Sequence, residues 1–368
     1  MRIRSLLMAG VAALSLSTAT LAKDTGLLFV SSEKDNAVYV LDGSTYAVVK
    51  TIPTAARPRH LQFDPARERI FVACGRGNAI DIIDVASLAL VDRIDGIDDP
   101  ELFDFSKDGR TLFISLEDDS ALGILDLDQH FAGRTGVPDL ATAAPEPEEA
   151  DADDADEREE EDEDGDGDGP DIAGLTTIET GKEPEGVLAG PDGNTVYVAS
   201  EVANIVHVID VADRQIRANV VAGNRPRRFA LTPDGGQLWV TNELNASATV
   251  IDTATNKVLR TITFPAPTGL RSEDVTPVGI ILSKDGKTAV VALGRANHIA
   301  FVDTGTGEIE DYVLVGKRAW NMTFNRSESL LFVANGLSDD ITIVDTANRK
   351  AVRSVPIGRV PHTVLIDD

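Results

Sequence analysis

Cysteine is almost missing from this chain: Cys74 is the only one among 368 residues. A single cysteine cannot form an internal disulfide, and because no CxxCH run is present, no c-type haem can be attached. Cys74 ends an apolar stretch (IFVAC), so we expect a buried and inert thiol. These absences exclude a disulfide scaffold and a covalent haem protein.

Positive charge and aromatic residues are scarce as well. Lysine and arginine together number 34 against 61 acids, which gives a net charge of −27. No basic patch stands out, and this argues against nucleic-acid binding. Aromatic residues make up 5 % of the chain, and Trp239 and Trp320 are its two tryptophans.

No apolar run is long enough to span a bilayer, so we expect no membrane span. A short apolar run at residues 6–16 follows Arg2 and Arg4 and precedes the small-residue sequence TLA at 20–22. This order is typical of a cleaved export signal. We therefore expect residues 1–22 to be removed and residues 23–368 to be the mature, periplasmic protein.

Negative charge is concentrated in one segment, residues 146–171, which holds 17 acids and one arginine. The wider stretch 138–171 consists of Pro, Gly, Ala and acids, with almost no β-branched or aromatic residues. Such a composition favours a disordered insertion that repels itself. Weak binding of Ca²⁺ or a lanthanide is the alternative, since acids occupy alternate positions. The candidate ligands are Asp162, Asp164, Asp166 and Asp168.

A regular repeat runs through the rest of the chain. Seven short apolar strands each end on an aspartate, with sequences such as VYVLD, IDIID and ITIVD. The seven aspartates are Asp42, Asp84, Asp126, Asp210, Asp252, Asp303 and Asp345. The gaps between them are 42, 42, 84, 42, 51 and 42 residues. A period of this length predicts a repeat architecture, and we expect the aspartates to hold turns rather than to form a site.

One repeat, residues 226–262, indicates how the unit folds. PRRFALT, QLWVTN, ASATVID and KVLRTIT are four short strands rich in β-branched residues, and turn sequences such as PDGG separate them. Seven such units predict an all-β, seven-bladed β-propeller with four antiparallel strands per blade. The chain begins with a second strand near Gly26 and ends with a first strand, PHTVLID. We expect these terminal strands to complete one blade together.

The two irregular gaps mark insertions. The 84-residue gap equals two periods, but its composition argues against an eighth blade. We place the acidic insertion between the third and fourth strands of blade 3, on the face that carries the Asp-Gly turns, which we call the bottom face. The extra residues of the 51-residue gap fall in FPAPTGLRSEDVTP, a loop on the opposite, top face.

Alignment of the repeats brings polar residues together at the top mouth of the central channel. The residue after the proline at the start of each first strand, or its equivalent where proline is absent, forms one ring, and the next residue forms a second. Loops on a rigid scaffold often carry function, so these rings and the top-face loops are our predicted ligand or partner site. Its residues are Arg59, His60, Glu101, Glu185, Arg227, Arg228, Asn242, Glu243, Arg271, Glu273, Asp274, Arg318, Trp320, Asn321 and His362. A solvated mouth whose ion pairs only orient loops is the alternative. Besides Asn242 and Glu243, the loops between second and third strands contribute Glu33, Arg76, Glu117, Glu201, Arg295 and Asn335.

The residue types at the mouth suggest little chemistry. His60, His362, Glu101 and Glu185 would suit zinc or iron, but neighbouring arginines would repel a cation. The sequence has no GxSxG elbow and no phosphate-binding glycine loop. We therefore predict no catalytic residues and no bound cofactor.

Several stretches resemble a known family. VYVAS, LWVTN and LFVAN, followed by VID or IVD, are similar to YVTN-type β-propeller repeats. KEPEGVLAGPDGNTVYVASE, RSEDVTPVGI and ANGLSDDITIVD resemble the exported β-propeller family associated with pyrroloquinoline quinone (PQQ)-dependent catabolism. The resemblance covers most of residues 26–366. It implies an exported propeller whose genes accompany quinoprotein alcohol dehydrogenases and c-type cytochromes, and it does not imply that this chain holds the quinone.

Three functions follow as expectations. The first is a non-catalytic periplasmic accessory protein that binds a quinoprotein dehydrogenase, a c-type cytochrome or a small metabolite through the top face. The second is a lactonase-like hydrolase, since some seven-bladed propellers of related sequence act on lactones; it would need a channel base such as His60 or Glu185. The third is cation binding by the acidic insertion.

Overall fold

A computed structural model describes residues 24–132, 134, 140–145 and 172–368. These residues form seven four-stranded antiparallel sheets, which confirms the seven-bladed propeller. The first strands of neighbouring blades contact one another in a closed ring, so they line the central channel. The predicted signal at 1–22 and the candidate ligands Asp162, Asp164, Asp166 and Asp168 lie outside the described residues.

The strands are numbered in chain order, and within each blade they run from the channel outwards as follows. Blade 1 holds β28 (Pro361–Asp367), β1 (Leu27–Ser32), β2 (Ala37–Asp42) and β3 (Val48–Pro53); blade 2 holds β4 (Pro58–Phe63), β5 (Arg69–Cys74), β6 (Ala79–Asp84) and β7 (Ala89–Asp95). Blade 3 holds β8 (Pro100–Phe105), β9 (Thr111–Leu116), β10 (Ala121–Asp126) and β11 (Leu175–Glu179); blade 4 holds β12 (Pro184–Ala189), β13 (Thr195–Ser200), β14 (Ile205–Asp210) and β15 (Gln215–Val221). Blade 5 holds β16 (Pro226–Leu231), β17 (Gln237–Asn242), β18 (Ser247–Asp252) and β19 (Lys257–Thr263). Blade 6 holds β20 (Ile280–Leu282), β21 (Thr288–Ala292), β22 (His298–Asp303) and β23 (Ile309–Leu314); blade 7 holds β24 (Ala319–Phe324), β25 (Leu330–Asn335), β26 (Asp340–Asp345) and β27 (Lys350–Pro356).

Helix is rare among the described residues. The one α-helix, α1 (Leu127–Phe131), follows β10 directly. Short 3₁₀ turns lie at Gly75–Gly77, Glu243–Asn245 and Ser272–Asp274. None of the helices in the part of the chain that is described is both long and apolar enough to cross a membrane.

The hydrophobic core lies between neighbouring blades. The second and third strands of each blade are buried on both faces, because each sheet packs against the sheets on either side. Phe71 of blade 2 and Phe103 of blade 3 belong to one such interface, and Trp239 is fully buried in another. Cys74 is also fully buried, as its apolar neighbours predicted. The outer, fourth strands are mostly exposed or half-buried; β3 and β15, for example, each have one buried residue.

The chain termini close blade 1, as the sequence predicted. β1 pairs antiparallel with β28, with Leu27 opposite Asp367. The hydroxyl and the backbone N–H of Thr25 donate to Asp367 Oδ2 at 2.6 and 3.0 Å. Arg67 Nη2 of blade 2 donates to Asp367 Oδ1 at 2.9 Å. Closure pairs the channel-side edge of β1, which would otherwise be free, and free strand edges are where sheets are vulnerable to wrong pairing.

The seven repeated aspartates hold turns. Each is the last residue of a third strand. In every blade its Oδ1 accepts a hydrogen bond from the backbone N–H three residues further on, at 2.7–3.0 Å. This is the local side-chain to backbone bond by which aspartate favours turns.

The described start of the insertion, residues 140–145, takes a path that the sequence did not predict. The chain leaves blade 3 after β10 and re-enters it at β11, at the bottom. Between them, Ala143 N donates to Thr54 O at 2.9 Å, and Asn36 Nδ2 donates to Ala144 O at 2.6 Å. Thr54 and Asn36 belong to top-face connections. The expectation of a bottom-face insertion is therefore wrong for residues 141–145, because strand alternation fixes where a connection leaves and returns but not its route.

Candidate functional site

Backbone geometry before the first strands directs charged residues to the channel mouth. The residue preceding the first strand has a positive φ in six blades: Arg57, Asp99, Glu183, Arg225, Arg318 and Val360. This left-handed conformation is costly for residues other than glycine. In three of these blades an asparagine of the preceding blade offsets the cost, because its side-chain oxygen accepts a hydrogen bond from the backbone N–H of the left-handed residue at 2.8–2.9 Å. The pairs are Asn36 with Arg57, Asn204 with Arg225, and Asn297 with Arg318.

The predicted inner ring is buried rather than solvated. Arg59, Glu101, Glu185, Arg227 and His362 are each less than 5 % exposed. With the residues before the strands and the top-face loops they form one network of ionisable groups. We call it the mouth cluster and define it as Glu33, Arg57, Arg59, Asp99, Glu101, Glu117, Glu185, Glu201, Arg225, Arg227, Arg228, Glu243 and Arg318.

One half of the mouth cluster lies over blades 1 to 3. Arg59 Nε donates to Glu33 Oε2 at 3.3 Å, and Arg59 Nη1 donates to Glu101 Oε2. Arg57 approaches the same acids less closely, at 3.7 Å from both Glu33 and Glu101, and is 3.8 Å from Asp99. The two guanidiniums of blade 2 therefore share the acids of blades 1 and 3.

The other half lies over blades 4 to 7. Arg227 Nη1 donates to Glu201 Oε1 at 2.6 Å and also lies 3.5 Å from Glu243. Arg225 Nε donates to the other oxygen of Glu201 at 2.5 Å. Arg228 Nη1 lies 2.5 Å from Glu185 Oε1. Arg227 Nη2 is 3.5 Å from that same oxygen, so Glu185 faces two guanidiniums at once.

An aromatic and two imidazoles border the cluster. The guanidinium of Arg318 lies 4.7 Å from the centre of the Trp320 ring, a cation–π distance, and His362 lies on that ring with 5.5 Å between centres. Asn321 Nδ2 donates to Thr363 Oγ1 at 3.4 Å. The ring of His60 packs edge-on against Phe103.

Burial decides the ionisation of the bordering imidazoles. Burial, helped by Arg228, lowers the pKa of His60 to about 3. Burial, with Arg59 and Arg228 nearby, also holds the pKa of His362 well below its usual value. Both imidazoles are therefore neutral at pH 7.

The carboxyl groups of the cluster differ strongly in ionisation. Burial alone would raise the pKa of Glu185, but Arg227, Arg228 and Arg59 together hold it below its usual range. For Glu201, burial outweighs Arg227 and raises the pKa to about 7. For Glu117, burial and repulsion from Glu101 and Glu185 raise the pKa to about 10. Such separated pKa values in one cluster are typical of functional sites.

Several buried polar atoms of the cluster lack a hydrogen bond. Among the described residues, seven of the fifteen such side-chain atoms belong to the mouth cluster, including Nε and Nη2 of Arg228 and Oε1 of Glu101. Burial lowers the pKa of Arg228 against the pull of Glu185, which reflects the same shortage of partners. Unpaired buried polar groups are costly, and their concentration at one place points to a functional role.

Other predicted residues lie outside the cluster. Arg271 pairs with Glu273 and Asp274 on an exposed loop. Asn242 is buried, but Nδ2 of its amide donates to Ser247 and Thr249. The set of His60, His362, Glu101 and Glu185 is not assembled as a metal site. Within the described ranges, the acids close enough to share an ion are instead Asp99, Glu101 and Glu117.

Sequence alignment missed three members of the cluster: Arg57, Asp99 and Arg225. Each stands immediately before the proline that opens a first strand. A residue before proline is ordinarily extended, so nothing in the local pattern indicated a left-handed turn towards the mouth. The recurrence of a charged residue at this position was the available signal.

Comparison with known proteins adds a family likeness. Residues 213–352 match a family model described as "Lactonase, 7-bladed beta-propeller". No curated protein matches the chain.

Solved structures match at the level of the fold. The periplasmic gluconolactonase of Pseudomonas aeruginosa is 22 % identical, with 92 % of this chain and 98 % of that chain covered and a TM-score of 0.67. A proposed 6-phosphogluconolactonase of Bacteroides uniformis is 14 % identical, with 92 % and 98 % covered and a TM-score of 0.66. Hydrazine synthase of Kuenenia stuttgartiensis is 17 % identical, with 88 % and 93 % covered and a TM-score of 0.68. At these identities the likeness shows the seven-bladed fold alone.

The expectation of a non-catalytic accessory protein is wrong on this comparison. The family model that matches is one of lactonases, and two of the similar structures carry lactonase names. The match favours the hydrolase that was the second expectation. The finer resemblance to the family associated with PQQ-dependent catabolism is not confirmed.

Proposed function

We propose that this chain is a lactonase-like hydrolase whose active site is the mouth cluster. The observation that carries the proposal is the match of residues 213–352 to the lactonase model. That segment supplies one side of the cluster: Arg225, Arg227, Arg228, Glu243 and Arg318. The acids with shifted pKa values, Glu117, Glu185 and Glu201, come from blades 3 and 4 before the matched segment, and Glu185 and Glu201 face these arginines at the mouth.

Lactone hydrolysis sets clear demands on a site. Water adds to the ring carbonyl, which becomes a tetrahedral oxyanion; the ring C–O bond then breaks, and the alkoxide takes up a proton to give a hydroxy acid. A catalyst needs donors for the oxyanion and a group that accepts a proton from water. Both are available in the cluster without a covalent intermediate.

Arg228 fits the first demand. It is 5 % exposed, and its Nε and Nη2 donate to no described residue. Donors that are already positioned and poorly paired favour charge that develops in the transition state over a neutral ground state. We assign Arg228 to stabilise the oxyanion.

Glu201 fits the second demand better than the bases suggested by the sequence. The depressed pKa values of His60 and Glu185 make both groups weak bases. A general base works best when its pKa is near the working pH, and burial raises the pKa of Glu201 to about 7. Arg225 and Arg227 fix its two oxygens in place.

Variants test these roles. Arg228→Met should lower kcat/KM for a lactone by about 10²–10³-fold, the usual cost of one oxyanion donor.

Glu201→Gln should also lower kcat/KM. In wild type, kcat/KM should fall as the pH drops below about 7, because the base is active only when it is deprotonated; in Glu201→Gln this fall should be absent. Arg217→Met, which removes an arginine paired with Asp210 away from the mouth, should leave activity unchanged. Equal activity in Arg228→Met and Arg217→Met would reject the site.

We also propose that the protein works in the periplasm and takes a small lactone from a catabolic route. Support comes from the signal-like residues 1–22 and from the stretches that resemble the PQQ-associated family. Binding to a dehydrogenase or cytochrome, and weak cation binding by the acidic insertion, stay predictions.

A further inference from the structure

We propose that Asp99, Glu101 and Glu117 form a binding site for a hard divalent cation of the calcium type at the top of blade 3. The site does not depend on the lactonase proposal. It uses acids to which the hydrolytic mechanism assigns no role.

The geometry of the three acids suits one ion. Asp99 precedes β8, Glu101 lies within it, and Glu117 follows β9, so one blade supplies all three. One oxygen from each side chain lies within 4.8 Å of the others. Calcium binds oxygen at roughly 2.3–2.6 Å, so two oxygens on one ion lie at most about 5 Å apart. The three oxygens therefore fit around one ion without backbone movement.

Unpaired oxygens give an independent reason. Glu101 is fully buried, yet its Oε1 accepts no hydrogen bond from any described residue. Arg59 bonds to the other oxygen, Oε2. Arg57 Nη2 lies 3.7 Å from Oε1, which is too long for a hydrogen bond. Oδ1 of Asp99 is likewise buried without a donor. A buried carboxylate oxygen left this way requires a positive partner.

Local charge points the same way. Arg57 and Arg59 are shared with Glu33, so they do not fully neutralise the blade 3 acids. Asp98, Asp118 and Asp119 stand in the same two loops and add negative potential. A divalent cation would supply the missing charge.

The ligand set selects the class of ion. All three groups are carboxylates, and no imidazole or thiolate joins them in the described residues. Oxygen-only sites of this kind prefer calcium or magnesium to zinc or copper. The side chain of Asp99, which is 15 % exposed, provides the route of entry from solvent.

Calcium titration of the full chain tests the proposal. Isothermal calorimetry should show one more bound Ca²⁺ in wild type than in Glu117→Gln or Asp99→Asn. If the number of bound ions is the same, the tightest site should bind Ca²⁺ at least about tenfold more weakly in the two variants, since loss of even an outer partner of a metal ligand costs on that order. Calcium should raise the Tm of wild type and not of these variants. Glu308→Gln, which removes the same charge at an exposed position, should behave as wild type. The acidic insertion is present in all four proteins, so its binding cancels.

Two results would overturn the proposal. One is equal stoichiometry, affinity and Tm shift in wild type and both site variants; the other is no calcium uptake by wild type. Should either variant fail to fold, anomalous diffraction from wild-type crystals soaked in a lanthanide decides the question. A peak between the three carboxylates supports the site, and its absence rejects it.

Discussion

At the scale of single residues, asparagines between blades place the charges of the site. Asn36, Asn204 and Asn297 sit in the left-handed region themselves and accept the N–H of the left-handed residue that opens the next blade. Asparagine tolerates this conformation better than most residues. In blade 7 an aspartate, Asp339, does the same for Val360. One side chain thus links neighbouring blades and turns a charged residue to the channel.

Replacing one of these asparagines should destabilise the propeller. In Asn204→Ala, the N–H of Arg225 loses its acceptor and an alanine must adopt a positive φ, so we expect a loss of about 1–3 kcal/mol. Urea unfolding measures this. Asn204→Asp keeps the acceptor that blade 7 uses and should cost much less. Equal losses in the two variants would contradict the role given to the hydrogen bond.

The turn aspartates should make stability sensitive to acid. The hydroxyl of Ser44 and the N–H and hydroxyl of Thr45 lower the pKa of Asp42 to about 2. An unfolded aspartate titrates near 3.9. The stabilisation is therefore complete above pH 4 and is lost as the pH falls from about 4 to 2. In Asp42→Asn, the free energy of unfolding should depend less on pH between about 4 and 2 than it does in wild type. Unfolding monitored by circular dichroism measures this. An unchanged slope would show that the turn is not linked to folding.

The sequence predicted which residues lie together at the mouth wherever the 42-residue period shows that they occupy the same position in different blades. Arg59, Glu101, Glu185 and Arg227 were placed in one ring because they follow corresponding prolines, and the structure brings them together. Their ionisation could not be predicted, since burial and partners across blades set it. The residues before the prolines were missed because their backbone conformation is unusual for that position.

At the scale of elements, a polar anchor fixes the path of residues 140–145, the described start of the insertion. Arg93 in the outer strand β7 donates to fully buried Asp81 and, through Nη1, to Ala141 O at 2.6 Å. Arg134 Nη1 adds a bond to Asp92 at 2.9 Å. Because of these contacts, residues 140–145 follow the edge of blade 2 to the top face. No strand pattern encodes such side-chain contacts, so the sequence could not predict the route.

Loss of the anchor should release this segment. In Arg93→Met, Ala141 loses its donor and Asp81 is left buried without its partner. Hydrogen exchange of a peptide covering 140–145 should become markedly faster, because the N–H of Ala143 is protected only while it bonds to Thr54. Mass spectrometry follows the exchange, with Arg217→Met as control. Retained protection in Arg93→Met would show that other contacts hold the segment.

At the scale of the whole molecule, the ring depends on its closing strand. β28 is the first strand of blade 1 and contacts the first strands of the two neighbouring blades, β24 of blade 7 and β4 of blade 2. Its sequence repeats that of other first strands, which is why alignment alone predicted seven blades and their closure. Function did not follow from architecture in the same way, since hydrazine synthase and gluconolactonase share this fold.

Removing the closing strand should abolish folding. A chain ending at residue 360 leaves one edge of β1 unpaired and opens the ring, so we expect aggregation and no cooperative thermal transition. Removal of Asp368 alone keeps β28 and should leave the transition intact. Calorimetry distinguishes the two. A cooperative transition in the shortened chain would mean that six blades close without the seventh.

Lactone hydrolysis by the purified protein tests the central claim most directly. Acid release from a panel of γ- and δ-lactones is followed by pH-stat at about pH 7.5, near the pKa expected for the base, with spontaneous hydrolysis subtracted. The mouth cluster as active site predicts that wild type accelerates the hydrolysis of at least one lactone, and that Arg228→Met reduces this acceleration by about 100-fold or more. No acceleration of any lactone by wild type, or equal acceleration by wild type and Arg228→Met, would contradict it.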